Sequence, residues 1–168
     1  LAVNSNSIAN NGVINASGPG GGGAAISAGD NNTIANSGVL SAGAGGAGIF
    51  AGINNTITNA AAASITVGDD ARGIYLAGGN NRVTNAGAIT AGNTTGFLPA
   101  AGILAINDDN TIGNIAGGTI SVGQNATGIF TQGDRSTVAN AGTINASDGG
   151  FGIGAQGTDI KITNSGSI

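Results

Sequence analysis

The sequence predicts an all-β fold, a parallel β-helix (β-solenoid) with three short strands in each coil. One phrase, a β-branched residue, any residue and then asparagine, recurs seven times at intervals of 23 to 29 residues, a period typical of stacked-repeat proteins. Apolar pieces of three to five residues alternate with Gly, Asn and Asp, which is the composition of strands and turns. Helix formers are scarce, and all eight acidic residues are Asp.

The first strand of each predicted coil contains the recurring phrase. Side chains two residues apart along a strand lie on the same side, so an asparagine two residues after an inward Ile should also point inward. There its amide can bond the corner backbone and the asparagine of the next coil. Asparagine also tolerates the left-handed conformation that a sharp corner can require. The sequence therefore predicts an internal asparagine ladder of Asn10, Asn36, Asn59, Asn85, Asn114, Asn140 and Asn164.

The other two strands of each coil are also apolar and short. The second ends on an isoleucine-type residue, as in 38–40, and the third begins with Gly-Ile, as in 73–75. When each strand lies on its counterpart one repeat earlier, at ~4.8 Å, the three apolar positions per coil fill a thin axial core. About six and a half coils fit the chain, and we expect residues 1–168 to be one β-solenoid segment, excised from a longer array and uncapped at both ends.

Insertions interrupt the repeat at two kinds of place. Two extra residues separate the ladder asparagine from the second-strand isoleucine in 59–65 and 114–120, which predicts a bulge at that corner. The longest coil contains TTGFLP at 94–99, and because proline cannot donate to a sheet we expect a protruding loop there. Insertions collect at one rim of a solenoid, where binding residues are common, so Phe97 is a candidate contact residue.

Composition excludes several function classes. The net charge is −4 with only four basic residues, so no basic patch exists to neutralise phosphates, and nucleic acid is not an expected partner. No apolar run reaches transmembrane length, so we expect no direct insertion of this segment into a membrane. The absence of cysteine removes disulfide and thiolate chemistry, and we expect no cofactor.

The aspartates are the remaining candidates for catalysis or metal binding. Polysaccharide-acting enzymes need paired carboxylates on one face, but 69–70 precedes the third strand of its coil whereas 108–109 follows it. Arg72 lies two residues from Asp70, which makes a small charged cluster conceivable. A calcium ion needs six to eight converging oxygens. The residues Asp30, Asp109, Asp134 and Asp159 approach one corner but spread over several coils. We therefore predict solvated turns, no metal site and no enzyme.

The third strands carry one surface feature that suggests a contact with a partner. If the isoleucine of each Gly-Ile pair points inward, the next residue points outward, giving an exposed apolar and aromatic stripe over four successive coils. Such a patch usually marks an interface. Two alternatives remain: insertions at the rim fold over the stripe, or the alternation fails at this strand. The candidate contact surface consists of Phe50, Tyr75, Leu104 and Phe130, together with Phe97 of the loop.

Several runs resemble a known family. NNTITNAAAASITVGDDARGIYLAG (54–78), NRVTNAGAIT (81–90) and NAGTINASDGGFGIGAQG (140–157) are similar to passenger segments of bacterial autotransporter adhesins and, more loosely, to filamentous-haemagglutinin-like proteins. The resemblance covers the whole chain. It implies a right-handed parallel β-helix that is exported and displayed at the cell surface, with a carboxy-terminal membrane barrel lying outside this segment.

The sequence and this resemblance together predict the shaft of a bacterial surface-exposed or secreted adhesin. Its internal partners are neighbouring coils of the same longer chain, and its external partner is a host-cell or bacterial-surface protein or glycan, or a second copy. A self-assembling extracellular fibre or coat protein is the first alternative, and end-to-end stacking of chains would favour it. A polysaccharide-acting enzyme is the second, and it requires activity that depends on the four aspartates of the two pairs.

Overall fold

A computed structural model, which describes residues 4–17, 22–96 and 99–168, shows the chain wound into a parallel β-solenoid. These residues form nineteen strands and no helix. Each strand pairs with the corresponding strand of the neighbouring coils, which gives three parallel sheets of seven, six and six strands. No helix long and apolar enough to span a membrane occurs in the described residues. The predicted fold class, with three strands per coil, is confirmed.

Each sheet collects one strand from every coil. The first sheet contains Ser7–Asn10, Thr33–Asn36, Thr56–Asn59, Arg82–Asn85, Thr111–Asn114, Thr137–Asn140 and Lys161–Asn164. The second contains Val13–Ala16, Val39–Ala42, Ser64–Val67, Ala88–Ala91, Thr119–Val122 and Thr143–Ala146. The third contains Ala24–Ala28, Ala47–Ala51, Arg72–Leu76, Ala101–Ala105, Thr127–Gln132 and Phe151–Gln156.

The register of the strands is the same from coil to coil, so that like residues stack on like. Ile34 pairs with Ile57, and Asn36 with Asn59. Exposure alternates along a typical first-sheet strand, Thr56–Asn59, in which the second and fourth residues are buried. Because the side-chain period of a strand is two, this register places both the isoleucine and the asparagine inside.

The core contains one isoleucine-type residue from each sheet in each coil. In one coil these residues are Ile57, Ile65 and Ile74, none of which has any exposed surface. The glycine that precedes the third-strand isoleucine is required by this packing. A Cβ atom at Gly73 would clash with Cγ2 of Ile89 in the next coil, and the same relation recurs at the equivalent glycines. The Gly-Ile phrase is therefore a packing signature, since any larger residue would displace the core isoleucine.

The predicted insertions lie at corners of the coil. The two extra residues after Asn59 form a turn in which the backbone N–H of Ala63 bonds the carbonyl of Ala60 at 2.9 Å. A matching bond of 2.9 Å joins Gly118 to Ile115 in the second such insertion. The long loop follows the second-sheet strand Ala88–Ala91. Phe97 falls outside the described residues.

Candidate functional site

The asparagines of the recurring phrase form the predicted ladder. Asn59 donates from Nδ2 to Oδ1 of Asn85 at 2.8 Å, and Asn85 donates likewise to Asn114 at 2.8 Å. The Nδ2 of Asn85 also donates to a corner carbonyl, that of Gly87, at 3.1 Å. Bonds of 2.7 to 2.8 Å between successive amides join all seven members. Each ladder amide between the two end members therefore has partners in both neighbouring coils.

These asparagines do not adopt the left-handed conformation that a sharp corner can require. They lie within strands, where the backbone is extended. Among the described residues, Asp70 and Asn125 are left-handed at the corner between the second and third strands. The other left-handed non-glycine residues form a column at the corner between the third and first strands, with φ between 54° and 63°. Its members are Ser5, Asn31, Asn54, Asn80, Asp109, Arg135 and Asp159. The buried ladder and the left-handed turns are thus made by different residues.

A second asparagine ladder, which the sequence reasoning missed, runs along the beginning of the first sheet. Its buried members are Asn32, Asn55, Asn81 and Asn110, and Ser136 continues the column. Oδ1 of Asn81 accepts the backbone N–H of Asn55 at 2.8 Å and its Nδ2 at 3.1 Å. The signal was available: Asn55, Ile57 and Asn59 are two residues apart, so all three share one side of the strand.

The aspartates lie at turns, as predicted, and they also bond neighbouring coils together. Oδ1 of Asp30 accepts the backbone N–H of Ile53 at 2.8 Å, and Oδ1 of Asp69 accepts that of Asn93 at 2.7 Å. The same bond is made by Asp108 and Asp134. No group of three His, Cys, Asp or Glu side chains suited to hold a metal ion occurs in the described part of the chain. These carboxylates therefore bond the corner backbone of one coil to that of the next.

Asp70 fastens the long loop to the adjoining coil. Its carboxylate accepts bonds from Oγ1 of Thr95 at 2.6 Å, from the backbone N–H of Thr95 at 2.7 Å and from that of Gly96 at 2.9 Å. These hydrogen bonds, that of the Thr95 side chain above all, lower the pKa of the Asp70 carboxyl from its ordinary value. Within the described residues Asp70 forms no ion pair with Arg72, so the conceivable cluster of the two does not form.

Arg135 instead forms ion pairs with both carboxylates of the second aspartate pair. Its Nη2 lies 2.8 Å from Oδ2 of Asp109 and 3.2 Å from Oδ2 of Asp108. The hydrogen bond from Arg135 lowers the pKa of the Asp109 carboxyl. All three side chains are about half exposed, so water and salt screen the attraction and its contribution to stability is small.

The outer side chains of the third sheet stand in one column, but they are less exposed than predicted. In order the column contains Phe50, Tyr75, Leu104 and Phe130. The rings of Phe50 and Tyr75 meet edge to face with centroids 5.4 Å apart. The three aromatic residues are half-buried, whereas Leu104 has only 6% of its surface exposed. The prediction of exposure is wrong for Leu104, because this shorter side chain lies between the rings of Tyr75 and Phe130.

Two grooves lie along this column on the outer face of the third sheet. The first, here the apolar groove, has a volume of about 330 Å³ and is lined in part by Leu104, Phe130 and Phe151. The second, here the arginine groove, lies at the Phe50 end of the column, has a volume of about 370 Å³ and includes Arg72 in its lining. Both volumes fall within the range of small-ligand sites, ~300–1,000 Å³.

Arg72 is a residue that the sequence reasoning did not assign to the contact surface. It begins a third-sheet strand at a position where the neighbouring coils have Ala47 and Ala101. A charged residue between two alanines of the same column was the available signal. Its guanidinium carbon lies 5.7 Å from the centre of the Tyr75 ring, within cation–π distance.

No family model, curated protein or solved structure matched the chain in our comparisons.

Proposed function

We propose that this segment is the structural shaft of a bacterial surface-exposed or secreted adhesin, and that it mediates adhesion or self-association. The observation that carries this proposal is the uninterrupted stack: every described coil repeats one register, one core and one asparagine ladder. A stack of this kind can be lengthened coil by coil without changing its cross-section, which suits a projecting rod. The resemblance to autotransporter passenger segments supports a location at the cell surface.

The proposed role is non-catalytic. The paired aspartates, which are the strongest candidates for acid–base chemistry, already bond backbone amides, Thr95 or Arg135. An enzyme of the polysaccharide-acting kind would need a carboxylate pair free to face a substrate. Engagement of these groups in corners and loop attachment therefore supports a structural role.

The proposed contact surface is the aromatic column of the third sheet. Phe50, Tyr75 and Phe130 each keep part of a ring exposed on one face of the stack. Aromatic side chains contribute large apolar area at low entropic cost, which is why they are enriched where proteins bind partners. The partner is a host-cell or bacterial-surface protein or glycan, or the same face of a second copy.

The test replaces Phe50, Tyr75 and Phe130 together with serine. Beads coated with the variant should adhere less to target cells, and sedimentation should report weaker self-association, because the ring surface is lost. The core should survive, since the isoleucines behind these rings are fully buried and unchanged. Far-UV circular dichroism checks that the β structure is retained.

A matched control replaces three exposed aliphatic residues that lie off the third sheet, Val13, Ile53 and Ile115, with serine. It removes comparable apolar surface, and adhesion should stay at the wild-type level. Equal adhesion by the aromatic variant and the wild type would overturn the contact surface. Concentration-dependent growth of long polymers by the wild type would favour the fibre or coat alternative.

A further inference from the structure

The arginine groove is lined by one charged side chain, by small uncharged residues and by two aromatic rings. Its lining includes Ala24, Ser27 and Ala47, and the rings of Phe50 and Tyr75 stand beside Arg72. The alanines and serine keep the groove open where larger side chains would fill it. Because Phe50 and Tyr75 are half-buried, the groove has a partly apolar rim.

Arg72 is the unusual member of this lining, since its buried Nε has no hydrogen-bond acceptor among the described residues. Only 6% of the Arg72 surface is exposed. A buried donor left unpaired destabilises the folded state, and more strongly when the group is charged. Native proteins rarely retain such a group unless something else binds it.

No neighbouring side chain in the described ranges supplies the missing acceptor. The nearest acidic residue in sequence, Asp70, uses its carboxylate to hold Thr95 and Gly96 of the long loop. Tyr75 offers only the face of its ring. Burial lowers the pKa of the Arg72 guanidinium from its ordinary value, but an arginine remains protonated at neutral pH. The guanidinium is therefore a cation with unused donors at the edge of an open groove.

We propose that the arginine groove binds the carboxylate of a small organic anion, with the Arg72 guanidinium as the charged donor. A planar guanidinium matches a carboxylate in a two-point hydrogen bond. The Phe50 and Tyr75 rings then cover the carbon body of the ligand. This inference goes beyond the proposed shaft, since it assigns a ligand class to one groove and holds whether or not the chain belongs to an adhesin.

A singly charged anion fits this groove better than a doubly charged one. Arg72 is the one cationic residue in its lining, and Asp69 and Asp70 lie in the preceding turn. A second negative charge on the ligand would meet these carboxylates without a second cation to offset them. Carboxylates are therefore favoured over phosphate dianions.

The experiment is a titration of the isotope-labelled chain followed by nuclear magnetic resonance. The probes are D-glucuronate and N-acetylglycine, each paired with its neutral counterpart, D-glucose and N-acetylglycinamide, and inorganic phosphate. We expect saturable shifts at Ala47, Arg72 and Tyr75 with at least one carboxylate and none with its neutral counterpart. Glucuronate alone would identify an acidic sugar as the ligand source, and N-acetylglycine alone a peptide carboxylate.

Variants test the role of the guanidinium. Arg72→Gln should weaken carboxylate binding about tenfold or more, the loss expected for a charge-assisted hydrogen bond. The control Arg82→Gln removes an exposed arginine from the first sheet and should leave binding unchanged. Ser27→Leu narrows the groove while leaving Arg72 in place, so it should also abolish binding. If Arg72→Gln fails to fold, the Ser27→Leu variant still tests whether the carboxylate binds in this groove.

Three outcomes would overturn the site: no shift with either carboxylate, undiminished binding by a folded Arg72→Gln variant, or tighter binding of phosphate than of both carboxylates. The adhesion assay is independent of this result. The aromatic column can mediate adhesion without a carboxylate site, and the groove can bind a carboxylate in a chain that does not adhere.

Discussion

At the scale of single residues, the interior of this solenoid is partly polar, and repetition makes that possible. The first-sheet strand Arg82–Asn85 and the residue before it bury Asn81, Val83 and Asn85 on one side. An isolated buried amide would leave donors and acceptors unpaired. Here each amide oxygen receives a donor from one coil and each NH₂ group finds an acceptor in the next. The polar core is therefore stable only as a stack.

Replacing Asn85 with leucine should destabilise the stack strongly. The change removes the 2.8 Å bonds to Asn59 and Asn114, and it leaves a buried donor on the first and a buried acceptor on the second. At ~1–3 kcal/mol for each unsatisfied group, the loss should be about 2–5 kcal/mol. Chemical denaturation followed by circular dichroism measures it.

The matched control is Asn145→Leu, which changes an exposed asparagine whose side chain makes a single 3.4 Å contact to Ser121. Its effect should stay within about 0.5 kcal/mol, as is usual for exposed positions. Asn93 is unsuitable as a control, because its side-chain oxygen bonds the backbone of Gln124 in the next coil. Equal denaturation midpoints for Asn85→Leu and Asn145→Leu would count against the ladder.

At the scale of elements, the strands were predictable and the corners only partly so. Ile57 and Asn59 are two residues apart, so the alternation of side chains along a strand places them on the same side. The repeat period then determines which residues of the next coil they stack on. The same rule applied to Asn55 would have revealed the second ladder. Arg135 at a left-handed corner was not predictable, because Asn and Asp occupy this column in most coils. Its side chain forms an exposed ion pair with Asp109. The burial of Leu104 depends on the sizes of its neighbours in the column, which side-chain parity alone does not reveal.

The corners should make the fold sensitive to acid. The pKa of the Asp134 carboxyl is lowered chiefly by the backbone N–H of Thr158, and those of Asp70 and Asp109 are lowered by their own partners. A carboxyl whose pKa is lower in the folded state contributes stability above its unfolded pKa, about 3.9, and loses it as the pH falls through the folded value. The denaturation midpoint should be flat near neutral pH and fall below about pH 4.

The variant Asp134→Asn tests this assignment, because an amide oxygen can still accept the Thr158 N–H but does not titrate. Its midpoint should fall less steeply with acid than that of the wild type. The control Asp148→Asn removes an exposed carboxylate that makes no side-chain hydrogen bond within the described residues, and it should behave as the wild type. An acid response of Asp134→Asn identical to that of the wild type would contradict the role of this corner.

At the scale of the whole molecule, each described strand pairs only with strands of the coils directly before and after its own, so the stack is nearly one-dimensional. The seven strands of the first sheet span six spacings of ~4.8 Å, or about 29 Å. Over so short a stack, strong interfaces between coils should make unfolding a single transition, whereas weak ones would let coils unravel in turn. The apolar core, with a residue from each of the three sheets, and the two ladders cross every central interface and favour the first behaviour.

A cavity in the central coil should therefore weaken the whole stack. Ile89 is fully buried and pairs with Ile65 and Ile120, so Ile89→Ala disturbs two interfaces and should cost about 2–5 kcal/mol. Ile14 is half-buried and pairs with Leu40 alone, so Ile14→Ala should cost less.

Tyr75 is the one tyrosine in a chain without tryptophan, and its fluorescence reports on a central coil. In both variants the unfolding transitions followed by fluorescence and by circular dichroism should shift together to a lower denaturant concentration. If Ile14→Ala shifts the dichroism but leaves the Tyr75 transition in place, the coils unfold independently and the cooperative stack is refuted.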